Sequence, residues 1–93
     1  DEFDLIFIDA AKGQNKNFFE KFEKRLTQDG FIITDNMKFH GYVDKDESEI
    51  KSRNLRGLVR KIKEYRKFLE EHEDFKTKFY DNTGDGVAVT IRR

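Results

Sequence analysis

The sequence predicts an α/β fold, an open sheet with helices laid against it, on three observations. Phe3-Asp4-Leu5-Ile6-Phe7-Ile8 is a largely apolar run that ends abruptly in Asp9-Ala10-Ala11-Lys12. A second run, Phe31-Ile32-Ile33-Thr34, ends in the same way at Asp35-Asn36. Between them lies an amphipathic helical stretch, and strand–helix–strand at this length is a βαβ unit with a right-handed crossover. Runs of this kind read as fully buried parallel strands. Open α/β sheets bind ligands just beyond the carboxyl ends of such strands. Asp9, Lys12, Asp35 and Asn36 therefore sit where chemistry is expected.

The first strand, Phe3–Ile8, leads into a loop containing Gly13. A helix is expected from about Asn15 to Leu26, because Phe18, Phe19, Phe22 and Leu26 recur at helical spacing with Glu and Lys opposite them. Gln28-Asp29-Gly30 reads as a turn with a glycine stop, and the second strand follows at Phe31–Thr34. From Asn36 to Asn54 the chain is polar and irregular, and a loop of that length in a compact domain is functional or mobile as a rule. It leaves directly from Asp35-Asn36 and so is placed to cover whatever they bind. Leu55, Leu58, Val59, Ile62, Tyr65 and Leu69 then mark the apolar stripe of a long helix over Leu55 to His72. Phe75–Tyr80 and Val87–Ile91, joined through Asn82-Thr83-Gly84-Asp85-Gly86, read as an antiparallel hairpin. The phenylalanines are assigned to the core.

With 93 residues the chain makes at most one small domain. A core strand at its very start, needing neighbours on both sides, suggests the middle of a larger fold, so residues 1–93 are read as a fragment of one domain. A sheet cut there exposes an apolar edge, which predicts poor solubility or pairing with another chain; the parent protein is expected to be a homodimer. Nineteen Lys and Arg balance nineteen Asp and Glu, so net charge selects neither a nucleic-acid nor a membrane partner. The absence of cysteine removes disulfides and thiolate metal sites and fits a cytoplasmic location. No apolar run approaches a membrane span.

Asp9, Asp35 and Asn36 offer only oxygen ligands, the set preferred by Mg²⁺, Mn²⁺ or Ca²⁺. A cation held by a few protein oxygens keeps positions for substrate oxygens and lowers a hydroxyl's pKa. Lys12 could orient that hydroxyl or take its proton. The structural alternative is that Asp9 caps a helix, Asp35-Asn36 makes an Asx-turn and Lys12 is solvated.

Phe-Ile-Asp-Ala-Ala-Lys at 7–12 and Ile-Ile-Thr-Asp-Asn at 32–36 resemble the cation-dependent, S-adenosylmethionine-using O-methyltransferases of the catechol and caffeoyl-CoA type. Phe39-His40-Gly41, Arg53-Asn54-Leu55-Arg56 and Gly84-Asp85-Gly86-Val87-Ala88-Val89 are similar to a bacterial branch that includes tRNA 5-hydroxyuridine methyltransferases. The resemblance implies a Rossmann-like sheet whose last strand runs antiparallel, with this chain supplying its fourth strand onward. It implies Asp9, Asp35 and Asn36 as metal ligands, Asp9 beside the methionine end of the cofactor, and Lys12 as the catalytic base. Where the catechol enzymes place a tryptophan, this chain has Ala11, which argues against an aromatic wall at that point. The family's glycine-rich loop and ribose-binding acid belong to strands not in this sequence. The implied substrate is 5-hydroxyuridine in tRNA, whose 5-hydroxyl and 4-carbonyl are vicinal oxygens, with a small catechol-like or acyl-CoA-linked phenol as the alternative.

His40 and Tyr42 on the covering loop, and Arg53 and Arg56 at the start of the long helix, are the candidate substrate contacts. Arg60 and Lys61 are better read as a solvated face, and His72 as a partner for the helix dipole. From another class comes a non-catalytic α/β module, such as a receiver-like domain. That would need a lysine where the second strand ends, and the chain has Asp35-Asn36 there.

Overall fold

The structure is a computed structural model that describes residues 2–93. The first apolar run forms β1 (Phe3–Asp9), followed by a 3₁₀ turn at Ala10–Lys12 that Gly13 closes in the left-handed region, with φ +76°. Then come α1 (Asn15–Phe22), β2 (Leu26–Asp35), α2 (Arg53–Glu71), β3 (Phe75–Tyr80) and β4 (Val87–Arg92). The four strands form one sheet in the order β1-β2-β4-β3. β1 and β2 are parallel, and β4 runs antiparallel to both β2 and β3. The expected βαβ unit and C-terminal hairpin are both present, with β4 inserted between β2 and β3.

Both helices pack on one face of the sheet. Ile6 and Ile8 of β1, Ile32 and Thr34 of β2, and Ala88 and Thr90 of β4 point inward and are buried. They meet Phe19 of α1 and Val59, Ile62, Tyr65 and Leu69 of α2, all buried. Phe19 sits at the centre, with edge-on contacts to Tyr65, Phe68 and Phe75 at ring-centroid distances of 6.4, 5.3 and 5.2 Å. His72 joins this cluster rather than serving only the helix dipole: it lies 5.1 Å from Phe75, and its Nδ1 accepts the Asp74 backbone N–H at 3.1 Å. α2 starts two residues earlier than the spacing suggests, because the Ser52 hydroxyl accepts the Leu55 N–H at 3.3 Å and caps it.

Two expectations are corrected. α1 ends at Phe22, not Leu26; Glu23–Arg25 tighten into a 3₁₀ turn and Leu26 already pairs with Phe3 in the sheet. Arg92 of β4 secures this early end by donating to the Glu23 and Leu26 carbonyls, each at 2.9 Å. Gln28-Asp29-Gly30 then lies inside β2 as an excursion. Leu26 to Phe31 spans five steps where Phe3 to Leu5 spans two, so three residues loop out. Gly30 serves close approach instead of stopping a helix: a Cβ there would stand 2.8 Å from the Leu26 side chain and 2.9 Å from the Asp4 carbonyl.

The strands are also not fully buried. Leu5, Phe7, Phe31 and Ile91 on the outer face are exposed, Phe7 to 58%, so several phenylalanines lie outside the core. Nothing among the described residues covers that face, whereas the inner face has two helices. Continuous apolar runs fit a sheet with both faces covered, so the pattern registers a layer that residues 2–93 do not contain.

Thr34 and Tyr65 share a buried hydrogen bond of 2.9 Å between β2 and α2. Burial pushes the Tyr65 hydroxyl well above its ordinary value of 10.0, and the Thr34 hydrogen bond opposes this only in part. With the folded value above the unfolded one, this contribution is whole below about pH 10 and drains away as pH rises further. Tyr65→Phe is expected to cost about 1 kcal/mol at neutral pH and to flatten the loss of stability above pH 10. Urea denaturation across that range checks both.

Candidate active site

The parallel register sets Asp9 directly beside Asp35 at the carboxyl edge of β1 and β2. Both are half-buried. Asp9 Oδ1 accepts the Ala11 N–H at 3.0 Å, which starts the 3₁₀ turn that carries Lys12. The same oxygen accepts Asn36 Nδ2 at 2.8 Å, while Asp35 Oδ1 accepts the Asn36 N–H at 2.7 Å. Asp9 therefore does cap the turn, and Asn36 folds back between the carboxylates. The second oxygens of Asp9 and Asp35 make no hydrogen bond among the described residues.

This donor set fits a hard cation. Two oxygens sharing one octahedral ion at magnesium distances stand about 2.9 Å apart. The Asn36 amide already lies 2.8 Å from Asp9 Oδ1, and a half-turn about its last torsion would present Oδ1 in place of Nδ2. Three or more His, Cys, Asp or Glu side chains are nowhere gathered for a metal among the described residues. The candidate set is two carboxylates and one amide.

Lys12 is exposed and lines a cleft of about 90 Å³ together with Ile8, Asp9, Gln14, Asn15 and Phe18. A neighbouring cleft of about 280 Å³ between α1 and α2 is lined by Lys16, Lys61 and Glu64 among others. Asn15 borders both. It is buried, its Nδ2 donates to the Ala10 carbonyl at 3.0 Å, and its Oδ1 has no partner. Sequence reasoning passed over Asn15; its one signal is a short polar residue at the first position of a helix.

The other candidates are less closely gathered. The side chain of His40 is 75% exposed, with Nδ1 3.8 Å from Asp85 Oδ2. Tyr42 packs against Phe39 at 5.7 Å, under the Lys45 ammonium. Arg56 donates to the Ile50 carbonyl at 2.6 Å and the Lys51 carbonyl at 3.1 Å, which ties the covering loop to α2. Arg53 is exposed at the first position of α2. Arg60 pairs with Glu47 and holds its carboxyl below the ordinary 4.5, so this part of the helix is fastened to the loop as well as solvated.

The loop after β2 is bent sharply. Asn36, Phe39 and His40 all lie in the left-handed region, at φ +60°, +47° and +56°. Each such residue costs about 1–3 kcal/mol and persists only where the surroundings fix it. Here the β3–β4 turn fixes them: Met37 N–H donates to Gly86 O at 3.0 Å, Lys38 N–H to Asp85 O at 2.8 Å, and His40 N–H to Asp85 Oδ1 at 2.7 Å. Gly86 permits the contact, since a Cβ there would fall 2.9 Å from the Lys38 nitrogen. The Gly-Asp-Gly segment, read from sequence as a plain turn, thus seats the loop that carries Asn36.

The O-methyltransferase family profile matches residues 1–93. A caffeoyl-CoA O-methyltransferase of Populus kitakamiensis is 32% identical over 92 residues, covering 98% of this chain and 38% of that protein. A Staphylococcus aureus crystal structure, provisionally named a caffeoyl-CoA O-methyltransferase, superposes with a TM-score of 0.91 at 41% identity over 100% of this chain and 44% of that one. The S-adenosylhomocysteine-bound methyltransferase PaMTH1 of Podospora anserina gives 0.80 at 22% identity, again over 100% of this chain and 42% of that one, a likeness of fold alone. The chain spans less than half the length of these relatives. Its α/β sheet is thus part of a Rossmann-like class I methyltransferase fold. No helix among the described residues is long and apolar enough to cross a membrane. Matched by the family profile from end to end, the chain belongs to the O-methyltransferase family.

Proposed function

We propose that this chain is the C-terminal, substrate-handling part of a longer S-adenosylmethionine-dependent O-methyltransferase acting on a catechol-like or acyl-CoA-linked phenol. The observation that carries the reading is the Asp9–Asp35 pair with Asn36 folded between them, beside Lys12 at one sheet edge. The substrate class rests on two relatives named for caffeoyl-CoA. Asp9 is the residue of this chain placed beside the methionine end of the cofactor in this reading. S-adenosylmethionine provides an electrophilic methyl group for in-line displacement.

Asp9, Asp35 and Asn36 would hold the divalent ion, most simply Mg²⁺. Such an ion would supply Lewis-acid stabilisation for charge developing on a substrate hydroxyl. Lys12, carried on the 3₁₀ turn that Asp9 caps, would in its neutral form accept the hydroxyl proton. His40 and Tyr42 close over the substrate from the loop, which limits water at the reacting oxygen. Lys16 and Lys61, in the adjoining cleft, offer charge for a substrate phosphate.

5-Hydroxyuridine in tRNA is the second reading. It is favoured by Phe39-His40-Gly41 and Arg53-Asn54-Leu55-Arg56 and by Ala11, where a catechol enzyme has tryptophan. Arg53 would then face RNA phosphates, while Arg56 holds the loop beside it.

The test is Mg²⁺-dependent methyl transfer by the intact protein to caffeoyl-CoA, catechol and undermethylated tRNA, with Lys12→Ala alongside. Turnover of a phenol, reduced about 10²–10⁴-fold in the variant, is the expected result. Turnover of tRNA alone would move the assignment to RNA. Cofactor binding with no methyl acceptor among the three would refute both substrates.

A further inference from the structure

We infer that Asp85 is a positioning residue for the proposed cation site, acting through the loop that follows β2. The inference rests on the metal reading of Asp9, Asp35 and Asn36 and deepens it. Asn36 leaves β2 in a left-handed conformation, and from that pose its side chain reaches Asp9. Four residues on, His40 is also left-handed, and its N–H ends on Asp85 Oδ1 at 2.7 Å. The backbone of the same aspartate accepts Lys38 N–H, and its neighbour Gly86 accepts Met37 N–H. Met37 itself is buried, which leaves the segment little room to shift. The three bonds grip the stretch immediately after Asn36. Only one of them uses a side chain, and that side chain is Asp85.

The second oxygen of Asp85 points to more than an ordinary turn residue. Oδ2 is buried and has no hydrogen-bond partner, 3.8 Å from His40 Nδ1. The carboxylate is half-buried, and the oxygen it does use, Oδ1, is spent on the His40 N–H. Asparagine would keep that acceptor and replace the unused oxygen with an N–H₂ group facing the imidazole. Alanine would remove the acceptor and free the loop to leave its left-handed conformation. The link from Asp85 to the site is thus mechanical, running through backbone that already carries Asn36.

The experiment compares Asp85→Ala and Asp85→Asn in the intact protein by three readouts: exchange of the His40 backbone amide, the Asn36 side-chain amide resonances, and Mn²⁺ binding by paramagnetic resonance. In Asp85→Ala the His40 amide should exchange about tenfold faster. The Asn36 resonances should lose their dispersion, and Mn²⁺ affinity should fall about 10–100-fold. Asp85→Asn should stay within about threefold of the unmodified protein, since the acceptor survives. Unchanged exchange in Asp85→Ala would overturn the inference, as would faster exchange with unaltered Asn36 resonances. An Asp85→Asn variant impaired as much as Asp85→Ala would overturn it too. Absent Mn²⁺ binding by the unmodified protein would instead remove the metal reading, and the Asn36 resonances would still decide whether Asp85 positions that side chain.

Discussion

Asp35→Ala is expected to reduce methyl transfer by the intact protein at least 10²–10³-fold, about the cost of deleting one preorganised electrostatic partner, while leaving the fold in place. Asp35 sits half-buried at the end of β2, with one oxygen on the Asn36 N–H and the other without a protein hydrogen bond. Its structural role is that single bond, which contributes about 1 kcal/mol. Removing it leaves no buried charge unpaired, because Asp9 keeps both the Ala11 N–H and the Asn36 amide. Activity and stability should therefore separate. Thermal melting should move by a few degrees at most, and kcat should collapse even at high Mg²⁺. Retention of more than a tenth of the original kcat would mean that Asp35 holds neither ion nor substrate.

Phe19→Ala should have the largest effect on stability, about 3–5 kcal/mol. That is a large share of the roughly 5–15 kcal/mol that holds a typical domain together. Phe19 is fully buried and touches rings from α2 and β3 as well as the end of α2 at His72. Alanine would leave a cavity bounded by four aromatic side chains that cannot all move inward. The adjacent Phe18, 41% exposed, provides the contrast: its truncation should cost less than about 1 kcal/mol. Equilibrium denaturation of both variants measures the difference, and equal losses would mean that α1 is rotated from the orientation described.

Helical spacing put both Phe18 and Phe19 on the core face, yet only Phe19 is buried, so the period located α1 without fixing its rotation. Period gave the helices and run length gave the strands, since each follows from how backbone geometry presents side chains to a core. Asp9, Lys12, Asp35 and Asn36 were legible because each directly follows an apolar run, and parallel pairing then brings the two runs' ends together. Gly30 was misread because a glycine that stops a helix and one that lets chains approach look alike in one dimension. The outer face was misread for a different reason: apolar runs report that a covering layer is required, not that it lies within the same 93 residues. Asp85 and Asn15 were missed because their partners, His40 N–H and the Ala10 carbonyl, are backbone groups with no signature of their own.

The insertion of β4 between β2 and β3 constrains the order in which the chain can assemble. Strand β3 is made before β4, yet its sheet partner is β4. The pairing of Phe31 with Ile91 joins residues sixty positions apart, a costly loop to close early. β1, α1 and β2 can come together as they are synthesised, and α2 can dock on them through Tyr65 and Thr34, but β3 has no strand to pair with until Ile91 has emerged. During translation the inner edge of β2 therefore stands open for the time needed to make more than half of the chain. In that interval it is a docking edge for any extended segment nearby, and timely synthesis of the last strand is what protects it.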